Sequence, residues 1–364
     1  MRRILCLISR LDTGGAETFL MKIYRALPKD IKLDFVVSTN TGYYENEVTN
    51  LGGKIYRVPL RTKNPIAVYR AIKKIVKQNK YKYVLKLCDT PIGVFDLWAA
   101  KAGGADILCV RSCNAQSEEG CVRAFLYSIL RPIFNKLSTK KIAPSLLAAK
   151  YTFGDKIVNA GKVNLLNNGI DTSVYRFNEN DRNRIRKEFS IEEKYVIGHI
   201  GRFSTQKNHQ FLIEIFSEII KKRPDTVLML IGNGEKKEAI KELVSQYNLS
   251  GKVIFCGIRS DIPALLSAMD TFLFPSFYEG MPNTVIEAQS SGLPCIISDT
   301  ITREAAITDN VFYLSIQDKA SVWADTVLSK KAENRTKAYK KVLDAGYGIE
   351  KVVEEFQKIF FESE

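Results

Sequence analysis

The sequence predicts an α/β protein built from two doubly wound parallel-sheet domains. Short apolar runs alternate with helical patterns from one end to the other, as they do where parallel strands are joined by crossover helices. The runs form two consecutive series with a polar stretch between them. The 364 residues suffice for two domains at roughly 100–200 residues each.

The first series reads RILCLIS, LDFVVS, KIYRVP, YVLKLC, ILCVRS, KKIAPS and VNLLNN. After its first strand comes ETFLMKIYRALPK, where Phe19, Leu20, Ile23, Tyr24 and Leu27 recur at three and four, so one helix face is set to pack on a sheet. The second series reads KYVIGHIGR, DTVLMLIG, KVIFCG, DTFLFPS, PCIISD and VFYLSI. The boundary is expected in NGIDTSVYRFNENDRNR (168–184), giving domains 1–172 and 173–345. The last stretch, about 346–364, is an amphipathic helix with Ile349, Val352, Val353, Phe356, Ile359 and Phe360 on one face. It needs a surface to cover, and packing back on the first domain is one way to find it.

Composition narrows the class. With 45% hydrophobic and 26% charged residues, the chain fits a globular protein. No run approaches the ~18 apolar residues of a membrane span. The opening MRRILCLISRLDTGG is too short in apolar residues for a secretory leader and reads as a first strand, so a cytoplasmic protein is expected. Seven cysteines, none in a CxxC pair and several inside strand-like runs, are expected to be buried reduced thiols. The two histidines, His199 and His209, lie far from the Cys88–Cys121 cluster, and no zinc spacing appears, so no metal is expected.

The net charge of +14 is uneven. Residues 1–170 carry 28 Lys+Arg against 12 Asp+Glu, and the remainder 26 against 28. An anionic partner met by the first half alone is implied. No recognition motif for nucleic acid accompanies the charge. An anionic membrane surface remains, with two candidate segments free of acids. One is 61–82, with Ile66, Tyr69, Ile72, Ile75 and Val76 as its apolar face; the other is 121–141, with Phe125, Leu126, Ile129, Leu130 and Phe134. Each reads either as a basic amphipathic helix on lipid or as a crossover helix with its lysines in water. Attachment to the inner face of the cell membrane would bring a lipid-linked acceptor within reach.

Ligands of open parallel sheets bind beyond the carboxyl ends of the strands, and two facing domains would form one cleft there. Three loops stand out. In RLDTGGAE (10–17), Gly14 and Gly15 clear the approach to a helix N-terminus that can seat an anion; an ordinary tight turn reads equally well. In GRFSTQKNH (201–209), Arg202 and Lys207 can converge on one diphosphate, Arg as a bidentate fork and Lys as a point charge. In SFYEGMPNTVIEAQSS (276–291), Asn283 reads as the N-cap of a helix that stops at Gly292. Glu287 would then lie in its first turns, where it could simply complement the dipole. Glu279 precedes the cap and has no such explanation.

Taken together, GGAE (14–17), NNGID (167–171), GRFSTQKNH (201–209), LIGNGE (230–235), CGIRSDIPALLSAMD (256–270) and PSFYEGMPNTVIEAQSSGLP (275–294) resemble the retaining glycosyltransferases of family 4, in the branch that builds capsules, exopolysaccharides and O-antigens. The resemblance spans most of the chain and is most specific in the second half. It implies the GT-B fold, two Rossmann-like domains facing a cleft, and transfer of a sugar from a nucleotide donor, expected to be UDP-linked, to a polysaccharide precursor. By resemblance Glu279 contacts the donor-sugar hydroxyls and Glu287 the ribose hydroxyls, while Arg202 and Lys207 bind the diphosphate. Gly14, Gly15, Gly201 and Gly280 line the donor. The backbones of Met281, Pro282, Asn283 and Thr284 surround sugar and phosphate, and that of Ile258 meets the nucleobase. No cofactor and no metal are implied, because the nucleotide sugar is a substrate and the leaving phosphate is thought to help deprotonate the acceptor.

One segment departs from the family. Where many relatives carry a histidine in the first domain, this chain reads Arg111-Ser112-Cys113-Asn114, and the earlier loop reads CDTP with Asp89. Asp89, Arg111 and Asn114 are therefore the acceptor-side candidates. A nucleotide-sugar epimerase of the same architecture and a non-catalytic nucleotide-sugar-binding relative are the alternatives; an epimerase would need general acids and bases, often histidine.

Overall fold

The computed structural model describes every residue except Thr13, Asp89, 114–120, Glu333 and 363–364; for 121–124 it describes the backbone alone. The chain folds as two units, one of Met1–Gly169 with Ile349–Glu364 and one of Ile170–Gly348. The chain changes unit at Gly169–Ile170 and Gly348–Ile349, a few residues from the boundaries expected at 172 and 345.

In the first unit the strands are β1 (Arg2–Leu7), β2 (Ile31–Val37), β3 (Ile55–Arg57), β4 (Tyr83–Leu87), β5 (Ile107–Arg111), β6 (Lys140–Ala143) and β7 (Asn164–Leu165). They form one parallel sheet in the order β3-β2-β1-β4-β5-β6-β7. Strands buried on both faces must be apolar at successive positions, which is why Ile4, Leu5, Cys6 and Leu7 are all inaccessible. On one face lie α1 (Gly15–Ala26) and the C-terminal helix Ile349–Phe361, whose Phe19, Ile23, Val352 and Phe356 share a core with Cys6 and Phe35. Phe361 also meets Tyr83 edge-on at 4.9 Å. A short α2 (Glu45–Asn50) adds Val48 to the same core.

The other face is covered by α3 (Pro65–Asn79), α4 (Val94–Ala102) and α5 (Cys121–Leu137). Asn64 starts α3 by accepting a 2.9 Å hydrogen bond from the Ala67 amide, with Pro65 in the first helical position. The face α3 buries is Val68, Ile72 and Val76; Ile66, assigned to it above, is exposed. The apolar face read for α5 is divided. Phe134 is buried, but Phe125, Leu126 and Ile129 are exposed.

In the second unit β8 (Tyr195–Ile200), β9 (Thr226–Ile231), β10 (Val253–Gly257), β11 (Thr271–Phe274), β12 (Cys295–Ser298) and β13 (Val311–Leu314) form a parallel sheet ordered β10-β9-β8-β11-β12-β13. This repeats the order of the first six strands of the first unit. The polar stretch read as a boundary is partly structured: from Glu179 to Glu188 it is a helix, begun by Asn178, which accepts from the Asp181 amide at 3.1 Å. Arg182 and Arg186 of that helix each reach Asp270 at 2.7 Å. With Arg335 they collect the last carbonyls of the helix Ile262–Ala268, where cations complement the helix dipole. Among the described residues no helix is long and apolar enough to cross a membrane, and Cys6, Cys109 and Cys295 are buried free thiols.

Candidate functional site

The loops that leave the carboxyl ends of β8, β9, β10 and β11 are stitched to one another. The Phe203 amide donates to the Asn233 carbonyl at 3.1 Å, the Lys236 amide to the Phe203 carbonyl at 3.0 Å, and the Gly232 amide to the Gly257 carbonyl at 2.8 Å. The glycines make this possible. Gly232 has φ +135° and a Cβ there would lie 2.1 Å from the Gly201 carbonyl oxygen; at Gly234 it would lie 2.5 Å from that of Phe203. The loop 275–282 is tied in by Gln206, whose side-chain amide donates to the Tyr278 carbonyl and whose own carbonyl accepts from Phe277, both at 2.9 Å.

This frame brings Lys207 and Glu279 together. Lys207 Nζ donates to Glu279 Oε1 at 2.6 Å and sits 4.5 Å from the Phe274 ring centroid. Both side chains are largely buried. Glu279 Oε2 accepts no hydrogen bond from the described residues. Two residues given separate jobs above therefore form one unit. A buried pair of this kind is costly to break from one side, because the remaining charge is stranded. Arg202 contrasts with it. Its guanidinium is more than half exposed and pairs at 3.0 Å with Glu235, equally exposed.

Beneath the loop lie both histidines. His199 is inaccessible; its Nδ1 donates to the Leu273 carbonyl at 2.9 Å, which fixes the tautomer and leaves Nε2 as an acceptor. Nε2 lies 3.1 Å from where a Gly201 Cβ would stand, on the side of the Lys207 stem. His209 is buried between the rings of His199, at 4.7 Å, and Phe203, at 4.3 Å. Burial pushes His199 well below the ordinary histidine range and His209 down to about 4. Both are therefore neutral near pH 7. Neither reaches solvent as an exposed acid or base would.

The helix above the sheet spans Asn283–Ser290. Asn283 is its first residue; Pro282 holds the cap position, and no side chain caps it. The assignment of Asn283 as N-cap is corrected accordingly. Proline suits that place, since it has no amide to leave unpaired. Its carbonyl accepts from the Val285 and Ile286 amides at 3.0 and 3.3 Å, so the turn is closed by backbone. Glu287 is in the second turn and buried, too far along for the dipole reading. Gly280, Met281 and Pro282 are buried, Asn283 and Thr284 partly exposed; the Met281 side chain belongs to the core, 3.9 Å from the Tyr347 hydroxyl. Ile258 follows Gly257, at φ +70°, and is 60% exposed.

In the first unit Gly14, with an ordinary negative φ, is the N-cap of α1 and Gly15 its first residue; a Cβ on Gly15 would meet none of the described residues within 4 Å. The residue is thus not required by the turn. Arg111 is buried at the end of β5, its guanidinium 3.7 Å from the Phe19 ring centroid and hydrogen-bonded to the Asn168 side chain. It is built into the core rather than offered to solvent. Asp89 and Asn114 lie outside the described residues. Among the described residues no three His, Cys, Asp or Glu side chains gather as a metal site would.

Glu235, Gln206 and the histidine pair were not singled out for these roles from sequence. Glu235 stood inside the quoted LIGNGE motif, so a signal was present; nothing in the sequence pairs positions 207 and 279. Two cations on one loop, each held by a carboxylate, and a helix that starts four residues after Glu279 are groups of the kind that suit an anion joined to a polyol.

A family model described as glycosyl transferases group 1 matches residues 181–343. The chain is 32% identical over 346 residues to a Bacillus subtilis (strain 168) protein named as glycosyltransferase EpsF, covering 92% of this chain and 89% of that one. It is 28% identical over 233 residues to the Escherichia coli UDP-Gal:alpha-D-GlcNAc-diphosphoundecaprenol alpha-1,3-galactosyltransferase, covering 62% and 60%. The fold matches that of Anabaena Alr3699/HepE, solved in complex with UDP and glucose, with a TM-score of 0.79 at 19% identity over 98% of this chain and 99% of that one. The fold is GT-B, two parallel-sheet Rossmann-like domains.

Proposed function

Since the chain belongs to the glycosyl transferases group 1 family, we propose that it is a retaining, metal-independent glycosyltransferase of family 4. It moves a sugar from a nucleotide donor, a UDP-sugar, to a lipid-linked or growing polysaccharide acceptor. The observation that carries this reading is the Lys207–Glu279 pair at 2.6 Å, with Arg202 on the same loop as Lys207 and the helix Asn283–Ser290 following Glu279 in the chain. The Escherichia coli relative, whose name specifies a UDP-Gal donor and a GlcNAc-diphosphoundecaprenol acceptor, supports the substrate classes.

In this reading the diphosphate is the centre of charge. The bond from the sugar's anomeric carbon to the β-phosphate breaks as a bond to the acceptor oxygen forms on the same face. The acceptor's proton passes to a leaving phosphate oxygen. Arg202 and Lys207 meet the negative charge as it develops, helped by the backbone of 281–284 at the helix N-terminus. Glu279 uses Oε2 to accept from a sugar hydroxyl while Lys207 holds Oε1. Glu287 accepts from the ribose hydroxyls, the backbone around exposed Ile258 receives the base, and Gly15, with open space before it, lets the diphosphate approach. Arg111 positions the acceptor side through Asn168 and Phe19 rather than by direct contact. The basic first unit, through 61–82 and 121–141, attaches the protein to an anionic membrane where its lipid-linked acceptor lies.

Incubation with a panel of UDP- and GDP-sugars and lipid-diphosphate acceptors tests the proposal. A glycosylated lipid with release of UDP is expected. Epimerised free donor, or binding of donor without turnover, would overturn it.

A further inference from the structure

Two segments of the first unit read alike in sequence, yet they differ in what the fold leaves over. α3 spends its apolar face on the core, and its outer surface carries Arg70, Lys73, Lys74 and Lys77, all exposed. α5 is apolar on two sides. Tyr127 and Phe134 are buried, while Phe125, Leu126, Ile129 and Ile133 form a second stripe at helical spacing that none of the described residues covers; Phe125 is 70% exposed. The neighbouring α4 presents Phe95 and Trp98 three positions apart, Trp98 at 50% exposure. α3, α4 and α5 cover the same face of the sheet, with α4 packed against both of the others. The one acid among the described residues of these three helices, Asp96, is buried in ion pairs with Lys86 and Arg61. The outer surface of this layer is therefore cationic on α3, while α4 and α5 add exposed apolar side chains beside the exposed Lys101 and Lys136.

The geometry points to insertion of the Phe125–Ile133 stripe of α5, with Phe95 and Trp98 of α4, into the headgroup region of an anionic bilayer, while the α3 cations engage the lipid phosphates. The inference rests on the peripheral-membrane part of the reading above and names the surface that performs it. Large apolar side chains left exposed in a group, rather than singly, mark interaction sites. A bilayer fits both halves of the surface: tryptophan and phenylalanine favour the interface, and each nearby Lys or Arg adds attraction to anionic lipid. A second copy of the chain fits poorly, because a two-fold contact sets α3 cations near one another with no exposed helical acid to offset them.

The chain carries its own reporter. Of its two tryptophans, Trp323 is inaccessible, so a change in emission on adding vesicles comes from Trp98. With phosphatidylglycerol-containing vesicles the emission of the intact protein should shift to the blue and be quenched by lipids brominated on the acyl chain. Phosphatidylcholine vesicles and raised salt should weaken both effects. F125S/I129S should lower the partition coefficient about tenfold or more, because the apolar burial is lost. It should leave transfer to a water-soluble acceptor unchanged. The quenching measurement needs no substitution and stands if that variant fails to fold. Vesicle binding that is salt-sensitive but leaves Trp98 unshifted and ignores F125S/I129S would overturn insertion and leave charge-based attachment. No binding to any vesicle would remove membrane attachment altogether while leaving glycosyl transfer intact. A dimer in solution that F125S/I129S dissolves would assign the stripe to self-association instead.

Discussion

The two units repeat one strand order but treat their charged residues in opposite ways. In the second unit the candidate residues face one another across interlocked loops: Lys207 on Glu279, Arg202 on Glu235, Gln206 on the backbone of 277–278. In the first unit the carboxyl-end residue Arg111 is folded into the core against Phe19 and Asn168, and the exposed cations lie on the outside of a helical layer. A shared topology thus fixes where a site can be, and the loops decide whether one is built. The second unit pairs its candidate charges across loops, and the first leaves its cations exposed on a helical layer.

Four substitutions or conditions sharpen that contrast. K207A should cut transfer by roughly 10²–10³-fold, the cost of removing a preorganised donor from developing charge; a steady-state assay with a folded variant checks it, and near-normal kcat would detach the pair from catalysis. Next is acidity. Neutral, buried His209 resists protonation until about pH 4, whereas the unfolded chain takes the proton near 6.5. The unfolded state binds more protons between those values, so this stabilisation is complete above about 6.5 and lost as pH falls toward about 4, by about 3 kcal/mol in all. Urea unfolding of wild type and H209F across that range should show the wild type losing more; parallel curves would refute the assignment. R202A should raise the donor KM by about tenfold with little effect on stability, since exposed ion pairs contribute about 0–1 kcal/mol. Smallest is G15A: with open space before it, the added methyl should leave Tm unchanged while transfer falls several-fold. A lowered Tm would make Gly15 a packing residue.

Much of the fold was legible because buried parallel strands are uninterrupted apolar runs, and all thirteen read from sequence are strands. The errors share a cause: a local pattern shows that a face is apolar and not what meets it. Ile66 was counted into a face that Val68 fills, and α5 carries two apolar faces that sequence merged into one. Asn283 is a good cap by type, yet Pro282 took the position because the loop arrives there already closed by backbone. The candidate residues were nameable from motifs, but their pairing was not. Lys207 and Glu279 are 72 positions apart, and only the β8–β11 adjacency brings their loops together. Arg111 was nameable too; its burial depends on Phe19 and Asn168, which no local pattern connects to it.

The central claim is that Glu279 serves the sugar while the nucleotide is held by its neighbours. The direct test is E279Q in the full chain, with transfer and UDP affinity measured on the same preparation. Glutamine keeps the shape but replaces an acceptor-only carboxylate. The account predicts that transfer falls about 100-fold or more while UDP affinity stays within about threefold, since the interaction lost is one made to the reacting sugar. Turnover equal to wild type, or an equal loss of UDP binding, would contradict it.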